Sequence, residues 1–525
     1  MRQILFIVEK SIVDGKNYLG SSNDLLLICQ ALRMGSRVYL ATPNDIHNCK
    51  NHHQLSVLKL SDNLNWQQID DEIKFAWHQE VVNCLVTLPL SASDEQKLRS
   101  KILLLDATTE EIDINAMPVF NRSEPTSLTN QFYDLLITLQ KNGAKILPNP
   151  HLNKTLGDKL AVYAIHCGQT IGGIDLLAGV SFQNEENKIS FESEIISISN
   201  NNLSASEIAQ FYDLIWTENF TTAKNLFANE YQIFIEGAQK YLIFHEQLKN
   251  DSIIKPANYF GGSGVVVVKN KTLDLNQATK NIVQSFFSIK RDCQRNNSGN
   301  LAFLSKIIVQ ERATEACLGD LRIVMCGKNL QGIFVRVNRN FSHSNASNLH
   351  FGGHPESLFK HYEINKDGVD RMIGDMVGCD QGEIKKTQAL YGLLKILDFL
   401  QQIKTLHKYP IIGVDALLTK DKNGNYKYGI NEINLTSPMG QTQLLILQMA
   451  IKFSDLATEI LRKNNFKIDL KKHQILADYF KDGDLTQNIL AKNILLQNHH
   501  LQNLITLETE KLLANNFANN SIDFF

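Results

Sequence analysis

Glu432 and Asn434 stand two residues apart in GINEINLTSP, so a strand there turns both side chains to one face. Asp415, in the preceding apolar run GVDALL, projects from the same side if the two runs pair as a hairpin around Asn423-Gly424. Two carboxylates and an amide oxygen are hard donors, suited to a Mg²⁺ ion that keeps some of its waters and bridges phosphates. A solvated strand face is the plainer alternative. It is weakened by Ile433 and Leu435, which make the opposite face apolar, because a buried carboxylate needs a partner.

A second cluster lies upstream. In IIKPANYFGGSGVVVV a lysine, Lys255, ends an apolar run, and Gly261, Gly262, Ser263 and Gly264 follow before the next run. Such a loop presents bare N–H groups to an anion while the lysine adds a point charge. An ordinary glycine-rich hairpin would have the same composition. Between the two clusters, VQERATEACLGDLRIVM reads as strand, polar loop and strand, and brings Gln310, Glu311, Asp320 and Arg322; Arg336 follows in FVRVN. Arginine suits phosphoryl oxygens, although a lone surface arginine is more often a simple ion pair.

Elements able to position these groups follow from periodicity. RQILFIV reads as a buried strand, SIVDGKNYLGSS as a polar loop, NDLLLICQALRMG as a helix and RVYLAT as a second strand. This βαβ order predicts an open parallel sheet, continued by strands at VVNCLVTL and MPVFNR, a helix at LTNQFYDLLITLQKNG and a strand at AKILPNP. The loop at 9–22 lacks the GxGxxG spacing of a dinucleotide fingerprint. KISFESEIISISN reads as strand and SASEIAQFYDLIWTENF as helix. The chain after about residue 441 reads as helical.

The chain's 525 residues predict roughly three to four structural units at about 150 residues each. With 43% hydrophobic and 21% charged residues it is expected to bury sizeable cores. A net charge of −2 gives no strong whole-molecule field for nucleic acid or anionic lipid and leaves room only for a local basic pocket, so neither partner is expected. No apolar run reaches the roughly 20 residues of a membrane span, and the N-terminus lacks a signal-peptide pattern. Eight cysteines without a CxxC pair suggest reduced thiols and a cytoplasmic location. His52-His53 and His499-His500 read as solvated surface.

Taken in order, these motifs resemble the ATP-grasp superfamily, and within it bacterial glutathione synthetase. GINEINLTSPMG is similar to that family's TEINVTSPTG, IIKPANYFGGSG to its KPLDGMGG, GDLR to its GDKR, NLHFGG to its NLAAGG and LGDKL to its NEKL. MPVFNRSEPTSLTNQFYDLLITLQKNGAKILPNP is similar to the segment that carries the family's Arg-x-Asp-Pro turn. The resemblance implies an α/β fold. An N-terminal open-sheet domain at 1–150 would precede a two-lobed ATP-grasp domain, its small subdomain at 151–250 and its catalytic core at 251–465. Residues 466–525 would be a helical extension. Lys159, Lys255 and the loop Gly261, Gly262, Ser263 and Gly264 would bind ATP phosphates, with Gln310 and Glu311 at the adenine edge and Asp320 near the ribose. Asp415, Glu432 and Asn434 would hold Mg²⁺ or Mn²⁺, two ions in all. Arg322 and Arg336 would neutralise the phosphoryl group in flight. Arg122, Arg339, Asn348, Gly352, Gly353 and Ser437 would contact substrate. The implied reaction is attack of a carboxylate on the γ-phosphate, then displacement of phosphate by an amine.

The chain also departs from that family. Asn345-Ala346-Ser347 stands where the family carries a substrate-binding arginine, with Arg339 as its substitute. The stretch from Lys159 to Lys255 is longer, with the surplus around 165–230. Three readings result: glutathione synthesis from γ-glutamylcysteine and glycine, the same chemistry on another peptide or amino acid, or a non-catalytic nucleotide-binding relative. Self-association into a homo-oligomer stays open.

Overall fold

A computed structural model describes residues 3–13, 16–19, 35–49, 54–60, 107–123, 130–154, 191–200, 203–248, 251–257, 264–269, 272–295, 305–313, 320–327, 329–337, 354–357, 411–420 and 426–435, with residue 424 and parts of 24–32 and 393–409. The described residues fall into two compact units. One is drawn from Met1–Lys154, Glu315–Tyr428 and Asn434–Phe525, the other from Thr155–Thr314 and Gly429–Ile433. The chain is an α/β protein with several sheets.

The first unit opens with β1 (Gln3–Ile7), whose QILFI buries four consecutive side chains because both of its faces are covered. A short hairpin follows, β2 (Lys10–Val13) and β3 (Lys16–Leu19), antiparallel with Lys10 opposite Leu19. This stretch reads as a polar loop in the sequence. The missed signal is Asp14-Gly15, which stands between two β-prone runs as a two-residue turn would require. β4 (Arg37–Ala41) pairs parallel with β1 along its whole length, Gln3 opposite Arg37 and Ile7 opposite Ala41. Next come α1 (Pro43–His47), capped by Thr42 and Asp45, then β5 (Gln54–Leu60), β6 (Ala107–Asp113) and β7 (Pro118–Asn121). α2 (Asn130–Lys141) and β8 (Lys145–Leu147) complete the set.

The resulting six-stranded sheet has the order β6-β5-β4-β1-β7-β8. Its β4-β1-β7-β8 portion is parallel, as the βαβ pattern predicts, and β5 and β6 add an antiparallel edge. α2 presents Phe132, Leu136 and Leu139 on one face, and these pack with Leu5, Ile7, Val119 and Ile146 of the sheet. The strand expected at VVNCLVTL lies outside the described residues.

Another sheet is five-stranded, in the order β15-β14-β13-β16-β17. Its members are β13 (Asp320–Cys326), β14 (Asn329–Val337), β15 (His354–Ser357), β16 (Ile412–Lys420) and β17 (Tyr426–Asn434). Leu321, Ile323, Val335, Val414 and Ala416 are buried on it, which alternation along the strands demands.

The other unit is built on an antiparallel sheet of four strands, β11-β10-β12-β9. These are β9 (Ser193–Ser197), β10 (Ser252–Pro256), β11 (Val266–Val268) and β12 (Lys306–Glu311). β9 thus joins strands from the other side of residue 250. Helices α3 (Ala205–Trp216), α4 (Phe220–Leu226), α5 (Ala228–Gln247) and α6 (Leu275–Arg295) supply the rest. One core unites Ile196, Ile254, Ile307 and Val309 of the sheet with Phe211, Phe234, Ile282 and Phe286 of the helices. Gly237 lets α5 approach closely, since a Cβ there would meet the Ser197 carbonyl oxygen at 2.6 Å. Among the described residues no helix is long and apolar enough to cross a membrane.

Candidate active site

Strand register assembles the charged cluster of the five-stranded sheet. On β13, Asp320 and Arg322 share the face opposite the buried Leu321 and Ile323. Asp320 lies directly across from Arg336 on β14, and Arg322 directly across from Asp415 on β16. The Arg336 guanidinium grips Asp320 with two bonds, Nε to Oδ1 at 2.7 Å and Nη2 to Oδ2 at 2.8 Å. The same Nη2 reaches Asp415 Oδ1 at 2.9 Å. Arg322 holds the other side of that carboxylate, Nε to Oδ1 at 2.7 Å and Nη2 to Oδ2 at 3.2 Å. Asn434 of β17 adds its amide, Nδ2 donating to Gly413 O at 3.4 Å and to Asp415 Oδ2 at 3.5 Å.

Asp320, Arg336 and Asp415 are each about 5% exposed or less, so these charges depend on one another. Burial pushes the Asp320 carboxyl above the usual aspartate range, and the attraction of Arg336 and Arg322 opposes that shift. Burial by itself would lower Arg336. Asp320 and Asp415 outweigh it and hold the guanidinium above its ordinary value, firmly charged.

Glu432 follows on β17, on the same face as Asn434. Its Oε1 is buried and has no hydrogen-bond partner among the described residues. A buried acceptor of that kind calls for a donor or a cation. Among the described residues no group of three or more His, Cys, Asp or Glu side chains gathers as a metal cage. Two carboxylates with an amide do fit a Mg²⁺ ion that takes its remaining ligands from water and phosphate.

The lysine cluster belongs to the other unit. Ile254 points into the core from β10, so Lys255 points from the opposite face, across from Ile308 of β12. Its ammonium donates to Gln310 Oε1 and to Asn431 Oδ1. Lys255 is only 8% exposed, and two of the bonds its ammonium makes are to neutral amide oxygens. Gln310 is therefore placed as a partner of Lys255, while Glu311 projects from the other face of β12. Gly264, the described residue of the glycine loop, has φ +75°, and a Cβ there would meet Ile289 Cγ1 at 2.8 Å. Both the backbone and the space require glycine.

Arg122 follows β7 at the carboxyl end of the parallel strands, where open α/β sheets place ligands. It is buried, and its Nε donates to Asp24 Oδ1 at 2.8 Å. Lys159, Gly261, Gly262, Ser263, Arg339, Asn348, Gly352, Gly353 and Ser437 lie outside the described residues. Two participants are not foreseen by the sequence reading, Asn431 and Asp24. Asn431 had a legible signal, as a polar residue on the face of GINEIN opposite Glu432. Asp24 had none, because its partner is distant in the chain.

No protein-family model matches the sequence, and no curated protein does. Among solved structures the chain is similar to a RimK-domain ATP-grasp protein from Sphaerobacter thermophilus, at 11% identity and a TM-score of 0.35, over 87% of this chain and 97% of that one. It is also similar to D-alanine–D-alanine ligase from Bacillus anthracis complexed with ATP, at 11% identity and a TM-score of 0.33, over 89% and 99%. A third is a RiPP-associated ATP-grasp ligase from Chryseobacterium gregarium in complex with ADP and a leader and core peptide, at 10% identity and a TM-score of 0.34, over 88% and 96%.

Proposed function

We propose that this chain is an ATP-dependent, ADP-forming ligase that joins a carboxylate to an amine through an acyl phosphate. The observation that carries the reading is the cluster of Asp320, Arg322, Arg336, Asp415 and Asn434 on one sheet face. Guanidiniums alternate there with buried carboxylates, which suits a phosphoryl group and its counter-ion together. Asp415, Glu432 and Asn434 would hold Mg²⁺, or Mn²⁺ in its place, and the ion would offset negative charge on the triphosphate. Arg322 and Arg336 would draw the phosphoryl oxygens into line and neutralise them as the substrate carboxylate attacks. Lys255, steadied by Gln310 and Asn431, would bind phosphate as a point charge. Catalysis by such groups is positioning and charge neutralisation, so no dedicated general base is required.

For the acid and amine we propose a peptide or amino-acid pair. γ-Glutamylcysteine with glycine is the first to try, given the resemblance of the motifs. A second reading, a different acid, is favoured by Asn345-Ala346-Ser347 standing where that family has its substrate arginine. The test is ADP release from Mg-ATP with this pair against a panel of other acid and amine pairs, repeated with Glu432→Ala. The account expects acid- and amine-dependent ADP from the parent chain. It expects a fall of at least about a hundredfold in the variant, with its circular dichroism spectrum unchanged. Near-normal turnover in Glu432→Ala would sink the metal assignment.

A further inference from the structure

Ile254, Ile307 and Val309 point into the helical core of the second unit, so the alternate residues of β10 and β12 share the sheet's other face. Strand register sets two rows on that face, Val267, Ile253 and Gln310 in one and Lys255, Ile308 and Ile195 in the other. Val267, Ile253 and Ile195 are half-buried, which makes an apolar floor carrying one lysine and one amide. Asn431 belongs to the same unit and joins this cluster at the Lys255 ammonium. An apolar floor with a few placed polar groups suits a flat ring. We propose that Gln310 and Asn431, oriented by Lys255, read the purine base of the nucleotide and prefer oxygen to an amino group at C6, as in hypoxanthine or guanine. This rests on the ligase reading above and changes only the base, since the phosphoryl chemistry is common to every purine triphosphate.

The physical case turns on which way the two amides face. An ammonium has hydrogens to give and no lone pair, so each amide must turn its oxygen toward it. Lys255 donates to Gln310 Oε1 and to Asn431 Oδ1, which fixes both planes. The NH₂ arms, Gln310 Nε2 and Asn431 Nδ2, then face away from the lysine. A side-chain amide reads adenine with both of its arms, the oxygen accepting from N6 and the NH₂ donating to N7. Here that oxygen already serves Lys255. A second bond to it would bring the N6 amino hydrogens up beside an ammonium, positive against positive. What the pair offers instead is two donors. A purine with oxygen at C6 presents two acceptors on one edge, O6 and N7, and matches them.

The experiment is titration calorimetry on the full chain with Mg²⁺, comparing ADP with inosine diphosphate. These two differ only at C6 and in the proton at N1. The readout is the ratio of the two affinities, because damage to the fold or to the phosphate site weakens both alike. The parent chain should bind inosine diphosphate about fivefold or more tightly than ADP. Asn431→Leu removes one donor and should bring the ratio toward one. Gln310→Glu replaces a donor by an acceptor, so one oxygen can hold Lys255 while the other takes the N6 hydrogen, and the ratio should turn in favour of ADP. ADP bound as tightly as inosine diphosphate by the parent chain, or more tightly, would overturn the proposal while leaving the ligase reading in place, and that comparison needs no variant to fold. A preference for inosine diphosphate that both variants keep unchanged would also overturn it, since the selection would then lie elsewhere. If neither diphosphate binds the parent chain, the ligase reading fails and takes the base selection with it.

Discussion

Arg336 lies between Asp320 and Asp415, and removing it costs far more than its own bonds are worth. Arg336→Met would leave two carboxylates buried on one sheet face with only Arg322 to offset them, a loss of about 3–5 kcal/mol in local stability. Hydrogen exchange over β13 and β14 should rise accordingly. Parent-like protection would mean that the network contributes little. Lys255 donates to the amide oxygens of Gln310 and Asn431. Lys255→Gln should keep the fold while weakening nucleotide binding by about 10–100-fold, the worth of one charge-assisted hydrogen bond, as titration calorimetry would read. An unchanged dissociation constant would remove Lys255 from the phosphate site. The types of these residues were legible in the sequence. Their pairing was not, because Asp320 meets Arg336, and Arg322 meets Asp415, only through strand register.

Gly264 and Ser204 show how single positions shape whole elements. At Gly264 the positive φ and the approach of Ile289 at 2.8 Å and Pro256 at 3.0 Å leave no room for a methyl group. Gly264→Ala should therefore destabilise the second unit by about 1–3 kcal/mol, visible as a lower urea midpoint. At the start of α3, Ser204 caps the Glu207 amide and Glu207 bonds back to the Ser204 hydroxyl and backbone N–H. These bonds hold the Glu207 carboxyl below the ordinary glutamate range. Its contribution is thus present above that range and lost as pH falls through the lowered folded-state value. Protection of α3 should weaken in acid for the parent chain, and Glu207→Gln should flatten that dependence. Ser204→Ala should cost about 1 kcal/mol. Strong periodicity made β1, β4, β7 and α2 readable in the sequence, as it did β10 and β12 to β14. β6 escaped notice because ATTEEID is an edge strand with little apolar signal, whereas β5 was missed although Leu55 and Val57 alternate with polar residues in QLSVLKL.

For the molecule as a whole, the order of units along the chain was harder to read than the motifs within them. The sheet β11-β10-β12-β9 takes one strand from before residue 250 and three from after it, and the long helices α3 to α5 separate them. Nothing local announces that Ser193–Ser197 will pair with Lys306–Glu311. Oxygen-18 reports on the proposed chemistry. The full chain is incubated with Mg-ATP, an amine and an acid labelled in both carboxylate oxygens, using the pair that gives most ADP. An acyl-phosphate ligase transfers one labelled oxygen to inorganic phosphate for each amide formed, with ADP as the nucleotide product. The account predicts that stoichiometry. Label found in AMP with release of pyrophosphate, or unlabelled phosphate accompanying amide formation, would contradict it.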